Sequence, residues 1–274
     1  MGTCFKSAVF KSFTHPDAQH RYFSEGVAVD FTAISAVLRL STKYFFVRLR
    51  RRALARLRLD WPSTLAEWDE RERAATTPYG LYKPSLIRPD PIRIIDLALE
   101  LSLPSLLRAA FYDLSRYTPT HILSGSTITS DRPRAFLSRA DLMLVFRGKE
   151  AGQQFVSLFI ARELESRSPA RWCLSTRNNN SETCREAFAM VTYEAMRAVC
   201  GLTPDRESDP LFLLQCIFDL QHLTADTATA KKLATQGCEM CRADLRAMIQ
   251  RARQTVWDSI PGWFGINMTM LEDL

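Results

Sequence analysis

The stretch that decides the fold is Phe31–Leu59, FTAISAVLRLSTKYFFVRLRRRALARLRL. Apolar residues recur in it every three or four positions, which is the spacing of an amphipathic α-helix. The aromatic run Tyr44-Phe45-Phe46 interrupts the pattern and leaves no room for a long loop. We therefore predict two helices joined by a tight corner, with the apolar stripe buried and the arginines covering the remaining faces.

Local signals predict further helices after this pair. Thr64 and Glu67 stand at the spacing of a capping box, so a third helix should begin there. Pro91 and Pro104 suit the first turns of the next two helices, because proline lacks only an N–H that has no helical partner at that position. Ala74 to Asp90 contains three prolines and reads as a loop.

The second half of the chain shows the same helical spacing. The first predicted helix is a long one from Arg132 to Leu164, which Gly148 and Gly152 divide. Two more are CREAFAMVTYEAMRAVC at residues 184–200 and LFLLQCIFDLQHL at residues 211–223. The last one runs from Glu239 to Ile260 and stops at Pro261-Gly262. The aromatic tail after it should dock back on the body. Few segments alternate with period two, so the predicted fold is mainly α, with stacked antiparallel helix pairs and little or no sheet.

Composition narrows the class of protein. The chain has 274 residues, a net charge of +6 and seven cysteines, an odd number that excludes complete intramolecular pairing. In a reducing compartment such cysteines are thiols or metal ligands. No run approaches the roughly 20 apolar residues of a membrane span, and the N-terminus lacks the apolar core of a signal peptide. We expect a cytoplasmic or nuclear protein with no membrane partner.

Motifs for catalysis are absent from the sequence. It contains no GxxxxGK[ST] phosphate loop, no GxGxxG dinucleotide turn, no GxSxG elbow and no HExxH zinc motif. The four histidines are scattered, and the paired carboxylates lie in charged runs typical of a solvated helix face. We therefore predict that the protein is not an enzyme, and we name no catalytic or organic-cofactor residue.

Four cysteines form a candidate metal site. Cys238 and Cys241 make a CxxC motif at the start of the last helix, and Cys173 and Cys184 bracket an asparagine-rich loop. Together they could complete a closed Cys4 site for one structural zinc ion. The ten residues between Cys173 and Cys184 do not match a standard zinc knuckle. Four ordinary thiols and a CxxC redox site are the alternatives.

The arginine run RLRRRALARLR has two interpretations. Its basic character is typical of segments that contact nucleic acid. Leucine and alanine alternate with the arginines, however, so the run also fits a solvated face of an amphipathic helix. The modest net charge permits an acidic partner and does not require nucleic acid.

Taken together, several segments resemble a BTB/POZ domain of the kind abundant in mushroom-forming fungi. They are FTAISAVLRLSTKYFFVRLRRRALARL, WPSTLAEWDERE, IIDLALELSLPSLLRAAFYDLSRY, WC…C and CEMCR…VWDSIPGWFGI. The resemblance implies a partial BTB/POZ-like segment at residues 1–73, a linker at 74–90 and a helical, BACK-like extension at 91–274. Its cysteines stand at Cys173, Cys184, Cys238 and Cys241.

The resemblance also implies a function. BTB/POZ proteins are protein–protein interaction modules, so we expect a non-catalytic protein that binds partners through apolar helix faces. A complete BTB domain begins with a βα core that residues 1–30 do not match. The surfaces by which such domains dimerise and bind cullin ligases should therefore be mostly absent, although we keep a homodimer as an alternative. Ile34, Val37 and Leu38 should then be exposed unless the N-terminus or a partner covers them. The alternative is a zinc-dependent nuclear regulator that contacts nucleic acid through the arginine-rich helix.

Overall fold

The computed structural model describes residues 31–76, 88–126, 134–177, 181–199, 209–219 and 236–267. These residues are mainly α-helical and contain no β-strand, as the sequence predicted. The helices are α1 (Phe31–Lys43), α2 (Val47–Asp60), α3 (Leu65–Ala74), α4 (Pro91–Glu100), α5 (Pro104–Ser115), α6 (Pro119–Ser124), α7 (Arg139–Phe159), α8 (Leu174–Arg177), α9 (Ser181–Val199), α10 (Pro210–Asp219) and α11 (Glu239–Trp263), with a π-helical turn at Ile160–Leu164. None of these helices is long and apolar enough to cross a membrane.

The described residues cluster into two compact units. Unit 1 holds residues 31–76, 88–113, 123–126, 134–137 and 266–267, and unit 2 holds residues 114–122, 138–177, 181–199, 209–219 and 236–265. Residues 91–113 therefore lie with unit 1, whereas the sequence assigned them to the extension. The predicted N-terminal segment 1–30 lies outside the described residues.

Local sequence rules account for the helix starts in unit 1. The corner between α1 and α2 falls at residues 44–46, as predicted. The capping box at Thr64 and Glu67 is formed, because the Glu67 N–H donates to the Thr64 hydroxyl and the Glu67 carboxylate accepts from the Thr64 N–H. Pro91 occupies the first turn of α4, after an Asp90 side chain that accepts from the Ile92 N–H.

Packing in unit 1 combines an aliphatic core with one buried ion pair. Ile34, Val37 and Leu38 are buried, so the apolar face that we expected to need a cover is not exposed. The Arg71 guanidinium lies over the Trp61 and Trp68 rings and donates to Asp113 at 2.9 Å. Both members of this pair are buried, and Arg71 also pairs with Glu72 at 3.2 Å, so two carboxylates compensate its charge.

Three helix predictions for unit 2 are wrong. The long helix begins at Arg139 and not at Arg132, because Ser138 is its N-cap and accepts from the Asp141 N–H. Gly148 and Gly152 do not divide the helix, which runs through both of them. Their lack of a side chain leaves room for the Phe264 ring and for Pro210. The last helix continues through Pro261 to Trp263, although Pro261 has no N–H to donate to the Trp257 carbonyl.

The aromatic tail docks inside unit 2, as predicted. The Phe264 ring is buried and fits the space beside Gly148, where an added Cβ would lie 2.1 Å from the ring. Helix α11 packs on α7 and α10, and the π-helical turn packs on α9. This arrangement brings the N-terminal ends of α8, α9 and α11 to one place, which is where the cysteines lie.

Candidate metal centre

Each of the four predicted cysteines is placed by the start of a helix. Cys173 ends a loop immediately before α8, and Cys184 lies in the first turn of α9. Cys238 is the N-cap of α11 in an extended conformation, and Cys241 is three residues further on. The CxxC spacing therefore puts both thiols of the pair at the same helix end, because residues N-cap and N3 face each other there.

The structure brings all four thiols together. The four Sγ atoms lie within 4.8 Å of one another. The Sγ of Cys173 is 3.6 Å from that of Cys184 and 3.7 Å from that of Cys238. These separations far exceed the roughly 2.05 Å of a disulfide bond. The cluster is therefore a group of thiols that could hold one metal ion.

The two Sγ–Sγ distances of 3.6 and 3.7 Å are close to those of tetrahedral coordination. Zinc–thiolate bonds are about 2.3 Å long, which places the sulfurs of a regular tetrahedron about 3.8 Å apart. Three of the four cysteines are buried and Cys238 is partly exposed. A site with four protein ligands and little solvent access is typical of structural zinc, because no position is left for a reacting water.

Backbone amides support the thiolate form at the cluster. The Cys238 N–H donates to the Cys184 Sγ and the Ala170 N–H donates to the Cys241 Sγ, each at 3.3 Å. Such hydrogen bonds stabilise negative charge on sulfur. A metal would hold these thiolates in the interior, away from water. The two amide hydrogen bonds partly replace the hydrogen bonds to water that the thiolates lose.

The pKa values of the thiols differ widely because burial and hydrogen bonding act against each other. Burial raises the pKa of Cys184 and of Cys241, and the amide hydrogen bonds offset this only in part. Burial also acts to raise the pKa of Cys238, but the N–H groups of Cys241, Leu174 and Ser175 outweigh it and lower the pKa to about 6. Cys238 is thus more ready to ionise, and to accept a metal, than Cys184 or Cys241.

An ion pair also joins the loop that carries Cys173 to helix α11. Arg167, on the loop that leads to Cys173, makes an ion pair with Asp244 in the second turn of α11. Its guanidinium also lies 5.2 Å from the Phe188 ring of α9. Arg167 therefore ties the loop of Cys173 to the helices that carry the other cysteines. The sequence does not single out this arginine, since nothing local marks a contact across 77 residues.

Cys216, the remaining described cysteine, lies in α10 and is not part of the cluster. Outside the cluster, the pKa values of Glu100 and Lys149 are also shifted. The hydrogen bond from Arg39 lowers the pKa of Glu100, and burial lowers the pKa of Lys149, whose Nζ donates to the carbonyls of Ser115 and Tyr117. Both groups are held by structural partners.

None of the known protein families, curated proteins or solved structures with which the chain was compared matches it. The resemblance to BTB/POZ domains therefore stays a prediction from the sequence.

Proposed function

We propose that the protein is a non-catalytic, helical interaction protein whose unit 2 is held together by one structural zinc ion at Cys173, Cys184, Cys238 and Cys241. The observation that carries the proposal is the mutual distance of the four Sγ atoms, all within 4.8 Å. Four thiols so close in a largely buried site repel one another once ionised, and a divalent cation removes that repulsion. A closed tetrahedral thiolate set favours zinc over the harder cations that prefer oxygen ligands.

Metal analysis of the purified full-length chain tests the zinc proposal. We expect about one zinc per chain in the native protein and none in the double variant Cys238→Ser/Cys241→Ser. Cys216→Ser is the matched control, because it removes a thiol of the same unit that lies outside the cluster. Iron in place of zinc, or unchanged zinc content and melting temperature in the double variant, would contradict the proposal.

The interaction role rests on a groove of unit 2 between the π-helical turn and α9. A cavity of about 400 Å³ has Leu164 and Phe188 on its lining, with the exposed side chains of Tyr193 and Met196 beside them. Glu165 and Arg185 supply charges of both signs at its edge. An apolar floor with a charged rim suits an amphipathic helix of a partner protein, and we place this binding in the cytoplasm or nucleus, where thiols stay reduced.

A displayed library of helical peptides tests the groove even though the partner is unidentified. We expect the native protein to enrich peptides with apolar residues at helical spacing, and Met196→Glu to abolish that enrichment. Met143→Glu is the control, because Met143 is also exposed but lies on α7 away from the groove. Equal enrichment by native protein and Met196→Glu would refute the groove as the binding site.

A further inference from the structure

The corner between α1 and α2 presents an apolar surface to solvent. Tyr44, Phe45 and Val47 are 54%, 85% and 48% exposed, and Phe46 between them is also exposed. Scattered exposed apolar residues are ordinary, but four in a row at the end of a packed helix pair form a patch. We call residues 43–48 the aromatic corner.

The backbone of the aromatic corner holds the Phe45 ring outward. The Phe46 N–H donates to the Ser41 carbonyl at 2.9 Å and the Phe45 N–H donates to the Thr42 carbonyl, which is the Schellman arrangement that ends a helix. Phe45 occupies its left-handed position with a φ of 57°. Glycine is preferred there because a Cβ is strained, so the chain carries a large exposed ring at a position where a ring does not favour folding.

Positive charge surrounds the aromatic corner. Between Phe31 and Leu59 the sequence has eight basic residues and no acidic one: Arg39, Lys43, Arg48, Arg50, Arg51, Arg52, Arg56 and Arg58. Arg39, Arg56 and Arg58 bond to Glu100, Asp60 and Ser105 within unit 1. Three basic side chains that flank the exposed rings are themselves exposed: Lys43 on one side, and Arg48 and Arg51 on the other.

We propose that the aromatic corner docks on the surface of a membrane that contains anionic lipid. Apolar rings at the tip would enter the boundary between headgroups and acyl chains, and the flanking cations would lie at the anionic headgroups. A bilayer matches this order of charge and apolar surface, whereas a protein partner would need a concave pocket for the projecting rings. The sequence expectation of no membrane partner rested on the lack of a spanning segment, and surface docking needs none.

Sedimentation with lipid vesicles tests the proposal on the full chain. We expect binding to phosphatidylcholine vesicles that contain about one-third phosphatidylserine, and little binding to phosphatidylcholine alone. Phe45→Gly should weaken binding about tenfold or more, since it removes the most exposed ring. The same change relieves the left-handed strain, so the variant should fold at least as well as the native protein.

The charges are tested separately from the ring. Arg48→Gln and Arg51→Gln should each weaken binding about fivefold, the effect of roughly one lost cation near an anionic surface. Leu59→Ser and Arg73→Gln are the controls, because both side chains are exposed in unit 1 but lie away from the corner. Both controls should bind like the native protein.

Three results would overturn the proposal. Equal binding to neutral and anionic vesicles would remove the role of charge. Binding that Phe45→Gly leaves unchanged would remove the role of the ring. The third result is a short DNA duplex that binds more tightly than the vesicles do. If the vesicles also fail to displace the bound DNA, the basic surface would be assigned to nucleic acid instead.

Discussion

Zinc binding to the cysteine cluster should release protons, and the pKa values of the thiols set how many. Zinc binds thiolate, so each thiol that is protonated in the metal-free protein must lose its proton. Burial raises the pKa of Cys184 and Cys241, so both are protonated at pH 7.5. Cys238, with a pKa of about 6, is already ionised. We expect at least two protons released for each zinc bound.

Two released protons make zinc affinity steeply dependent on pH. The apparent association constant should rise about 100-fold from pH 6.5 to pH 7.5, which corresponds to about 2.7 kcal/mol. The sign follows from competition, because lower pH favours the protonated thiols and weakens zinc binding. The loss should steepen below about pH 6, where Cys238 also takes up a proton.

Calorimetric titration of zinc at pH 7.5, in two buffers with different ionisation enthalpies, counts the protons directly. The Cys216→Ser variant should give the same number, since Cys216 lies outside the cluster. Clearly fewer than two protons per zinc, at a stoichiometry of one zinc per chain, would refute the reasoning. It would mean that Cys184 or Cys241 is already ionised without metal.

Two further predictions concern packing, and urea unfolding measures both. Asp113→Ala should lower the free energy of unfolding by about 1.5–3 kcal/mol, because it removes one of the two carboxylates that compensate the buried Arg71 charge and leaves Glu72 as the other; a loss below about 0.5 kcal/mol would contradict this account. Gly148→Ala should cost about 1–3 kcal/mol, since its Cβ would meet an aromatic ring at 2.1 Å. Gly262→Ala, whose Cβ meets nothing within 4 Å, should instead stabilise α11 by up to about 1 kcal/mol, and equal effects at the two glycines would argue against the ring contact.

Sequence rules predicted the features of the fold that depend on neighbouring residues. The corner after α1, the capping box at Thr64 and the prolines that open α4 and α5 all follow from backbone sterics and hydrogen bonds within one turn. The start of α7 is also marked in the sequence, because Ser138 stands three residues before Asp141, a capping signal that competes with the earlier start predicted at Arg132. Errors of this kind come from choosing between competing local signals.

Other features could not be predicted because they depend on distant partners. Gly148 breaks helices by its intrinsic propensity, but here the docked Phe264 ring requires it, and those residues are 116 positions apart in sequence. The left-handed Phe45 and Ser102 end α1 and α4 without the expected glycine. The CxxC pair was visible from its spacing, whereas the approach of Cys173 and Cys184 depends on how α8, α9 and α11 pack.

A metal at the cluster would join helices that are far apart in sequence. Its removal should therefore destabilise the segments that carry the cysteines. Cys184 and Cys238 are 54 residues apart. By analogy with a covalent cross-link, closing a loop of that length lowers the entropy of the unfolded chain. This raises the free energy of unfolding by about 4 kcal/mol. Loss of metal should therefore raise the population of opened forms of unit 2 by about three orders of magnitude.

Hydrogen exchange of the full chain, with and without a chelator, measures this opening locally. We expect faster exchange in residues 167–177, 181–199 and 236–252, which contain or adjoin the cysteines, and unchanged exchange in residues 31–76 of unit 1. The Cys238→Ser/Cys241→Ser variant without chelator should reproduce the same pattern. If exchange in residues 31–76 increased as much as around the cysteines, the metal would not act by joining the helices of unit 2, and the cross-link argument would fail.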